Sequence, residues 1–520
     1  MTKNGRAHAI GWAAVIIGAL TLLRFAKGAG DPPYGVDASY YFQLARHVMN
    51  GEGLVTTVSL YHEGWVAPAK TTIYPLWPLL LGYAGRAIGL ARAADLLPRV
   101  LYVVDLVLLY LLAMRIATRF GGLRLGRQWW LPDSAHWVVA VFGVAPRFFG
   151  ATTHPYTEGL GFAMAFASFL ALERFERTRG LVPAALSGLF AGLAFLTRTQ
   201  LIGVAIGCFL ALAWLAVRDR SARLGTLVWS LAAVAAIAPW LLFLGFVPVL
   251  MENDLPRVAL PHFAGWSELP TRTAWLQQRA SSLGVMFDPS NELSYVQSFG
   301  VVAFLVPLAA LAALMWHGRM WRGLQPADSG GLKPAPHLLT NAVLLAGVFF
   351  FFSLMLYHSE VWTPWLFGWR HGLPFILLIA LTVPWLAARA GRFAPAIALV
   401  LLVSVATSAR GVLAFVQSPD TDFTPAETEL VAWLNARPVS AITTNAQILG
   451  SMTDAPLYWT YCDASGESTR AMLAKMPITH VILYEREARC RFIVEADPLR
   501  LVQAFDGPGG RIFVLQPLRR

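Results

Sequence analysis

The sequence predicts a polytopic α-helical membrane protein of about 11 transmembrane helices with a small C-terminal α/β domain outside the membrane. Three observations predict it. Of the 520 residues, 56% are hydrophobic and only 14% charged, against about 25% charged in an ordinary soluble domain. Many windows of roughly 18–22 residues are nearly free of charge, which is the length that crosses a bilayer. Lys and Arg gather in alternate turns between these windows, as they do where turns face the cytoplasm. The apolar bulk runs from near residue 10 to 416, and the composition after that is soluble.

The first apolar segment, 9–27, follows Lys3 and Arg6. It reads as an anchor entered from the cytoplasm, because further spans follow it. Segments 98–117, 157–173, 199–217, 297–316 and 372–388 each end on a basic turn. Those turns hold Arg115, Arg119, Arg124 and Arg127; Arg174, Arg177 and Arg179; Arg218, Arg220 and Arg223; Arg319 and Arg322; and Arg389 and Arg392. Segments 135–152, 181–197, 225–248, 338–357 and 393–414 run outward between them. The outer side then holds two long loops, 28–97 and 249–296, and the chain divides into a membrane domain, 1–417, and a soluble domain, 418–520. A shorter apolar run, 74–90, contains Pro75 and Pro78 and reads as lying in or dipping into the outer leaflet. If it crossed, every later arginine cluster would face outward. The expected setting is the inner (plasma) membrane, with the N-terminus cytoplasmic and the C-terminal domain extracytoplasmic.

In that domain, 427–436 and 466–475 read as helices and 439–444, 478–484 and 511–515 as strands. Alternation of this kind suggests a small α/β unit. The net charge of +11 is spread between the hydrophobic segments, which excludes the concentrated patch a nucleic-acid surface needs. Cys208 lies in an apolar segment and reads as an inert thiol. Cys462 and Cys490 either pair, if the domain meets an oxidising compartment, or remain free thiols. No Cys or His spacing suits a metal, and no internal repeat of the transporter kind is visible.

Charged residues at the outer edge of such a chain are expensive and need a reason. Asp37 follows the first segment and heads an apolar-faced stretch with Tyr40, Tyr41, Leu44, Ala45 and Val48. It can serve as a general base towards a hydroxyl or as the N-cap of a helix beginning at Ala38. Glu158, after His154, opens an uncharged span, as a functional acid or as a first-turn residue favoured by the helix dipole. Arg198 can grip a phosphate bidentately or snorkel to headgroups. Arg370 and His371 follow Trp362, Trp365 and Trp369, an interfacial belt or a set of stacking faces for a sugar. Asp105, the one carboxylate well inside a span, is expected to pair with a neighbouring helix. Asp420-Thr421-Asp422 lies in a Pro-containing linker and reads as incidental.

Taken together these positions resemble the GT-C superfamily of membrane glycosyltransferases. The similarity is to bacterial relatives of protein O-mannosyltransferases, lipid A aminoarabinose transferases and mycobacterial arabinofuranosyltransferases. Its most specific part is Asp37-Ala38-Ser39-Tyr40-Tyr41, then Ala45-Arg46, Gly51 and Gly53, and Tyr74-Pro75-Leu76-Trp77. Thr153–Glu158, Leu196-Thr197-Arg198 and Arg370–Pro374 follow in the order expected. The resemblance implies an inverting glycosyltransferase that takes a sugar from a polyprenyl-phosphate donor lipid. The acceptor is a lipid, glycan or protein on the extracytoplasmic face. Asp37 would be the base, with Glu158 or Glu63 as a second acid, because Ala38 stands where relatives often carry one. Arg198 and Arg370 would hold the departing phosphate, and Tyr40, Tyr41, His154 and His371 would line the substrate site. No cofactor and no metal is implied. The competing reading is a flippase or transporter of lipid-linked sugars that performs no chemistry.

Overall fold

The computed structural model describes residues 3–27, 36–59, 69–71, 74–120, 133–152, 155–198, 201–243, 338–356, 377, 380–381, 383–387, 393–417, 425–443, 446–460, 473, 477–484, 501–507 and 510–515. Among them, four helices are long and apolar enough to cross a membrane. They are α1 (Lys3–Ala26), α4 (Leu90–Phe120), α10 (Arg223–Phe243) and α12 (Ala394–Gln417). Packed with them are α5 (Ser134–Gly143), α6 (Pro146–Ala151), α7 (Glu158–Thr178), α8 (Leu181–Thr197), α9 (Ile202–Arg218) and α11 (Leu338–Leu356).

α7 is the central helix. It packs against α4, α8, α9 and α11. Phe162, Phe166, Phe169 and Phe175, at helical spacing, bury their rings in the main core. Leu224, Leu227, Leu231 and Val234 of α10 remain exposed, an apolar stripe with the composition of a lipid-facing surface. Helices expected to run in the same sense do so. His136 at the start of α5 bonds the Ala9 carbonyl near the start of α1 (2.8 Å), and Arg24 near the end of α1 bonds the Thr152 carbonyl just beyond α6. α4 and α7 are likewise parallel: Gly159 faces Leu101 at one end, and Arg119 pairs with Glu176 at the other. The pairs Arg119–Glu176 and Arg177–Glu173 (2.9 Å) neutralise two carboxylates that would be costly unpaired.

Two segments differ from expectation, and a third, 74–90, is too short to cross. The second span begins at Leu90 and not at 98: Pro98 lies inside α4. At 31 residues the helix rises about 46 Å, longer than the hydrocarbon core of about 30 Å. Its charged opening, with Arg99 paired to Asp95 one turn away, therefore need not lie within that core. The segment 135–152 is two helices, because the chain breaks at Val144-Ala145 and Pro146 opens α6 as a first-turn proline. The run 74–90 holds α3 (Leu76–Ile88), whose 13 residues rise only about 20 Å. One face, with Trp77, Leu81 and Gly82, is buried, while Leu80 and Tyr83 are exposed. Gly89, at φ 86°, makes the reversal into α4 in a conformation other residues resist.

The remaining elements are α2 (Val36–Asn50), α13 (Pro425–Asn435), α14 (Ala446–Gly450) and eight strands. β1 (Val55–Thr56) pairs with β3 (Ala69–Lys70). The other six form one sheet in the order β2-β5-β4-β6-β8-β7. Here β2 is Val58–Ser59, β4 Ala441–Thr443, β5 Leu457–Trp459, β6 His480–Tyr484, β7 Leu501–Gly507 and β8 Gly510–Leu515. β2, β5, β4 and β6 are mutually parallel; β8 runs antiparallel to β6, and β7 antiparallel to β8. α13, β4, β6 and β8 coincide with four expected elements. The helix expected over 466–475 lies almost wholly outside the described residues, as do Cys462, Cys490, Asp420, Asp422, Glu63 and the loop 249–296. β5 and β7 are not expected from the sequence, and nor is β2, which belongs to the loop 28–97 yet forms the edge of the C-terminal sheet.

Close packing of α8 on α10 depends on Gly188 and Gly192, four residues apart. A Cβ on Gly188 would lie 2.1 Å from the Trp229 carbonyl oxygen, and one on Gly192 2.7 Å from the Ala236 Cβ. Without a hydrophobic drive between helices in lipid, such close approach is a main source of association. Gly188→Ala should lower stability by about 1–3 kcal/mol, read as a drop in thermal unfolding temperature in detergent. An unchanged melting curve would contradict this packing.

Candidate functional site

The candidate site lies where α2, α3 and the first turn of α7 meet. α2 opens at Val36, so Asp37 sits within its first turn and is not an N-cap before Ala38. There a carboxylate is favoured by the helix dipole, and Asp37 is half-buried. The expectation of a single apolar face is corrected: the helix is covered on two sides. Tyr40 and Leu44 enter the core of the C-terminal sheet. Tyr41 meets Trp77 and Leu160, and Ala45 meets Leu81, Leu90 and Ala93. Gly82 of α3 permits the second contact, since a Cβ there would lie 2.7 Å from the Ala45 carbonyl oxygen.

The two tyrosines are therefore packed groups, 3% and 5% exposed. The Tyr40 hydroxyl and the Thr71 hydroxyl share a hydrogen bond of 3.1 Å, and burial raises the Tyr40 pKa above its ordinary value. Tyr41 is one helical turn after Asp37, on the same face. Its contact with Leu160 directs that face towards the start of α7. Trp77 completes the junction. Fully buried, it donates its indole N–H to the Pro155 carbonyl, the partner that a buried tryptophan requires. Its role in holding the 155–158 turn was not foreseen from sequence, although it stands inside the Tyr74–Trp77 motif.

Each residue of α7's opening turn has a separate neighbour. Glu158, nearly buried, forms an ion pair from Oε1 to Nη1 of Arg198. Leu160 joins Tyr41 and Trp77. Gly161 lies against Thr197 and Leu201. Arg198 is placed by the end of α8: the helix stops at Thr197, and Arg198 takes extended backbone angles. An acid and a cation read separately from the sequence are thus one pair. Gly159 faces α4, where a Cβ would come within 3.7 Å of Asp105 Oδ2. Asp105 is fully buried, and neither carboxylate oxygen has a hydrogen-bond partner among the described residues. The expected pairing with another helix is corrected: what Asp105 meets is the first turn of α7, whose backbone carries the positive end of the helix dipole.

His154, Arg370 and His371 lie outside the described residues. Among the described residues, no group of three or more His, Cys, Asp or Glu side chains could hold a metal ion. The chemical content is a half-buried carboxylate, Asp37, in the first turn of α2, a nearly buried Glu158–Arg198 pair at the opening of α7, which α2 meets through Tyr41, and a third carboxylate, Asp105, beside Gly159.

No family model and no curated protein matches the sequence. Solved structures do resemble the fold. An oligosaccharyltransferase from Archaeoglobus fulgidus, solved in complex with zinc and sulfate, superposes with a TM-score of 0.60 at 11% identity, over 97% of this chain and 74% of that one. The oligosaccharyltransferase AglB of the same organism, in complex with an inhibitory peptide and a dolichol-phosphate, gives 0.56 at 11% identity, over 98% and 75%. The arabinofuranosyltransferase AftD from Mycobacteria gives 0.53 at 16% identity, over 98% of this chain and 40% of its own length. By fold, the chain is similar to the membrane glycosyltransferases of the GT-C type.

Proposed function

We propose that the protein is an inverting glycosyltransferase that moves a sugar from a polyprenyl-phosphate-linked donor to an acceptor on the extracytoplasmic face. The observation that carries this reading is the packing of Tyr41, one turn after Asp37 on α2, with Trp77 and with Leu160 of the turn that holds the Glu158–Arg198 pair. Support comes from the shared fold and from the dolichol-phosphate held by AglB. About eleven spans, a cytoplasmic N-terminus and an inner-membrane location belong to the same proposal.

In this mechanism Asp37 takes the proton of the acceptor hydroxyl. The oxygen attacks the anomeric carbon opposite the phosphate. The bond from that carbon to the phosphate oxygen breaks, and the lipid phosphate leaves with the electron pair. Arg198 meets the charge that develops on the phosphate, the role the resemblance also gives Arg370. A guanidinium has five N–H donors in a planar fork, and the phosphate competes with Glu158 for those of Arg198. Glu158 is the second acid of the site, and His154 and His371 keep the substrate-binding role that the resemblance implies. Tyr40 and Tyr41 act by orienting α2. The mechanism assigns no step to a metal. A flippase without chemistry is not favoured, because the similar folds are those of transferases.

Asp37→Asn should reduce the initial rate of transfer by about 10²–10⁴-fold, the usual contribution of a positioned base, with the melting temperature unchanged. A folded Asn variant with full activity would remove Asp37 from this role. Arg198→Ala leaves Glu158 uncompensated and should cost about 3–5 kcal/mol of stability. The double variant Glu158→Gln with Arg198→Gln should cost less than that single change. Equal losses in thermal unfolding for the two proteins would argue against the pair.

A further inference from the structure

We propose that Arg46 is a positioning residue, and that through it the C-terminal sheet holds α2, and so Asp37, in place for the reaction. This rests on the reading of Asp37 as the base. Arg46 projects from α2 into the end of α14. Its Nη1 donates to the Ser451 carbonyl (2.6 Å), and its Nη2 to the carbonyls of Gly450 (3.0 Å) and Thr453 (2.8 Å) and to Asp454 Oδ1 (2.6 Å). Gly450 is the last residue of α14, and Ser451 and Thr453 follow it; carbonyls at and just past a helix end have no partner within the helix. A planar guanidinium can meet several of them together; an ammonium is a single point of charge.

The Asp454 carboxylate is 64% exposed, whereas Arg46 is 16% exposed. The ion pair alone therefore contributes little, and the grip on the carbonyls is the main interaction. Three further contacts lock the same junction. β2 runs parallel to β5, with Val58 opposite Leu457. Gln43 of α2 donates to the Thr57 hydroxyl and accepts from that of Thr56 (2.9 Å). Gly450 must lack a side chain, because a Cβ would lie 2.3 Å from Val58 Cγ2. On its opposite side α2 is held by α3. Loss of the α14 grip frees one side of a helix that carries Asp37 at its head, and displacements of about 1 Å can cost a hundredfold in rate.

The test uses the full chain in lipid nanodiscs, as Arg46→Gln and Arg46→Lys. Two quantities are read: amide hydrogen exchange of residues 36–59, and kcat and KM for release of undecaprenyl phosphate from a panel of undecaprenyl-phosphate-linked hexoses and pentoses, with a cell-envelope extract of lipids, glycans and proteins supplying the acceptor hydroxyls. Arg46→Gln should speed exchange and lower kcat by about ten- to a hundredfold, with donor KM within about twofold because the phosphate grip is elsewhere. Arg46→Lys should recover part of both. Unchanged exchange in Arg46→Gln overturns the clamp. Faster exchange with unchanged kcat overturns the positioning role and leaves a structural contact. If Arg46→Gln does not fold, Arg46→Lys is held to the same two criteria with smaller changes. A wild-type protein that releases no undecaprenyl phosphate from any donor refutes the transferase reading and the catalytic positioning with it. The exchange difference then still decides whether the clamp exists.

Discussion

Burial of α2 on two sides is the constraint on which the site depends. Tyr40 and Leu44 belong to the core of the C-terminal sheet, while Tyr41 and Ala45 belong to the contacts with α3, α4 and α7. A helix of 15 residues has little stability of its own in water, so its position is set by what it touches. Residues 36–59 therefore act as the joint between the bundle and the sheet. Asp37 lies at the end of a rigid element and not on a free loop, which is the arrangement an oriented catalytic group requires.

Charge placement along α7 follows the same logic. At one end Glu158 meets Arg198; at the other Glu173 and Glu176 meet Arg177 and Arg119. Glu176 also accepts the Leu338 backbone N–H (2.8 Å) at the start of α11. Between these ends the helix is apolar and aromatic. Polar groups that do enter the bundle are bonded to one another: Ser168 donates to the Ser187 carbonyl (2.9 Å), and Trp229 donates to the Ser187 hydroxyl (3.0 Å). In lipid each such group left unpaired would cost several kcal/mol. Asp105, like the Trp137 indole and the Thr340 hydroxyl, departs from this pattern, and it does so beside the proposed site. Buried ionisable groups in membrane helices are retained where function uses them.

Much of the bundle was legible in the sequence. Apolar windows and arginine-rich turns marked most helices, because the cost of charge in hydrocarbon is written residue by residue. Breaks were less legible. The sequence marks the second span from 98, but its helix begins at Leu90 and carries Pro98 inside it. Pro146 lay within an apparent span and opens a separate helix. The site residues Asp37, Glu158 and Arg198 were legible as charges in costly places. Their grouping was not, since Glu158 and Arg198 are 40 residues apart and no local pattern links them.

The sequence by itself determined the membrane class, the position of most helices, the strands at 441–443, 480–484 and 510–515, and the charged residues worth attention. Each of these follows from local composition and periodicity, which a short window contains. Only the tertiary structure decided that Val58 pairs beside Leu457, that Arg46 caps α14, and that Trp77 holds the turn before Glu158. Those contacts join residues far apart in the chain. Their energy comes from satisfying backbone carbonyls and N–H groups that any sequence possesses, so side-chain pattern alone does not announce them.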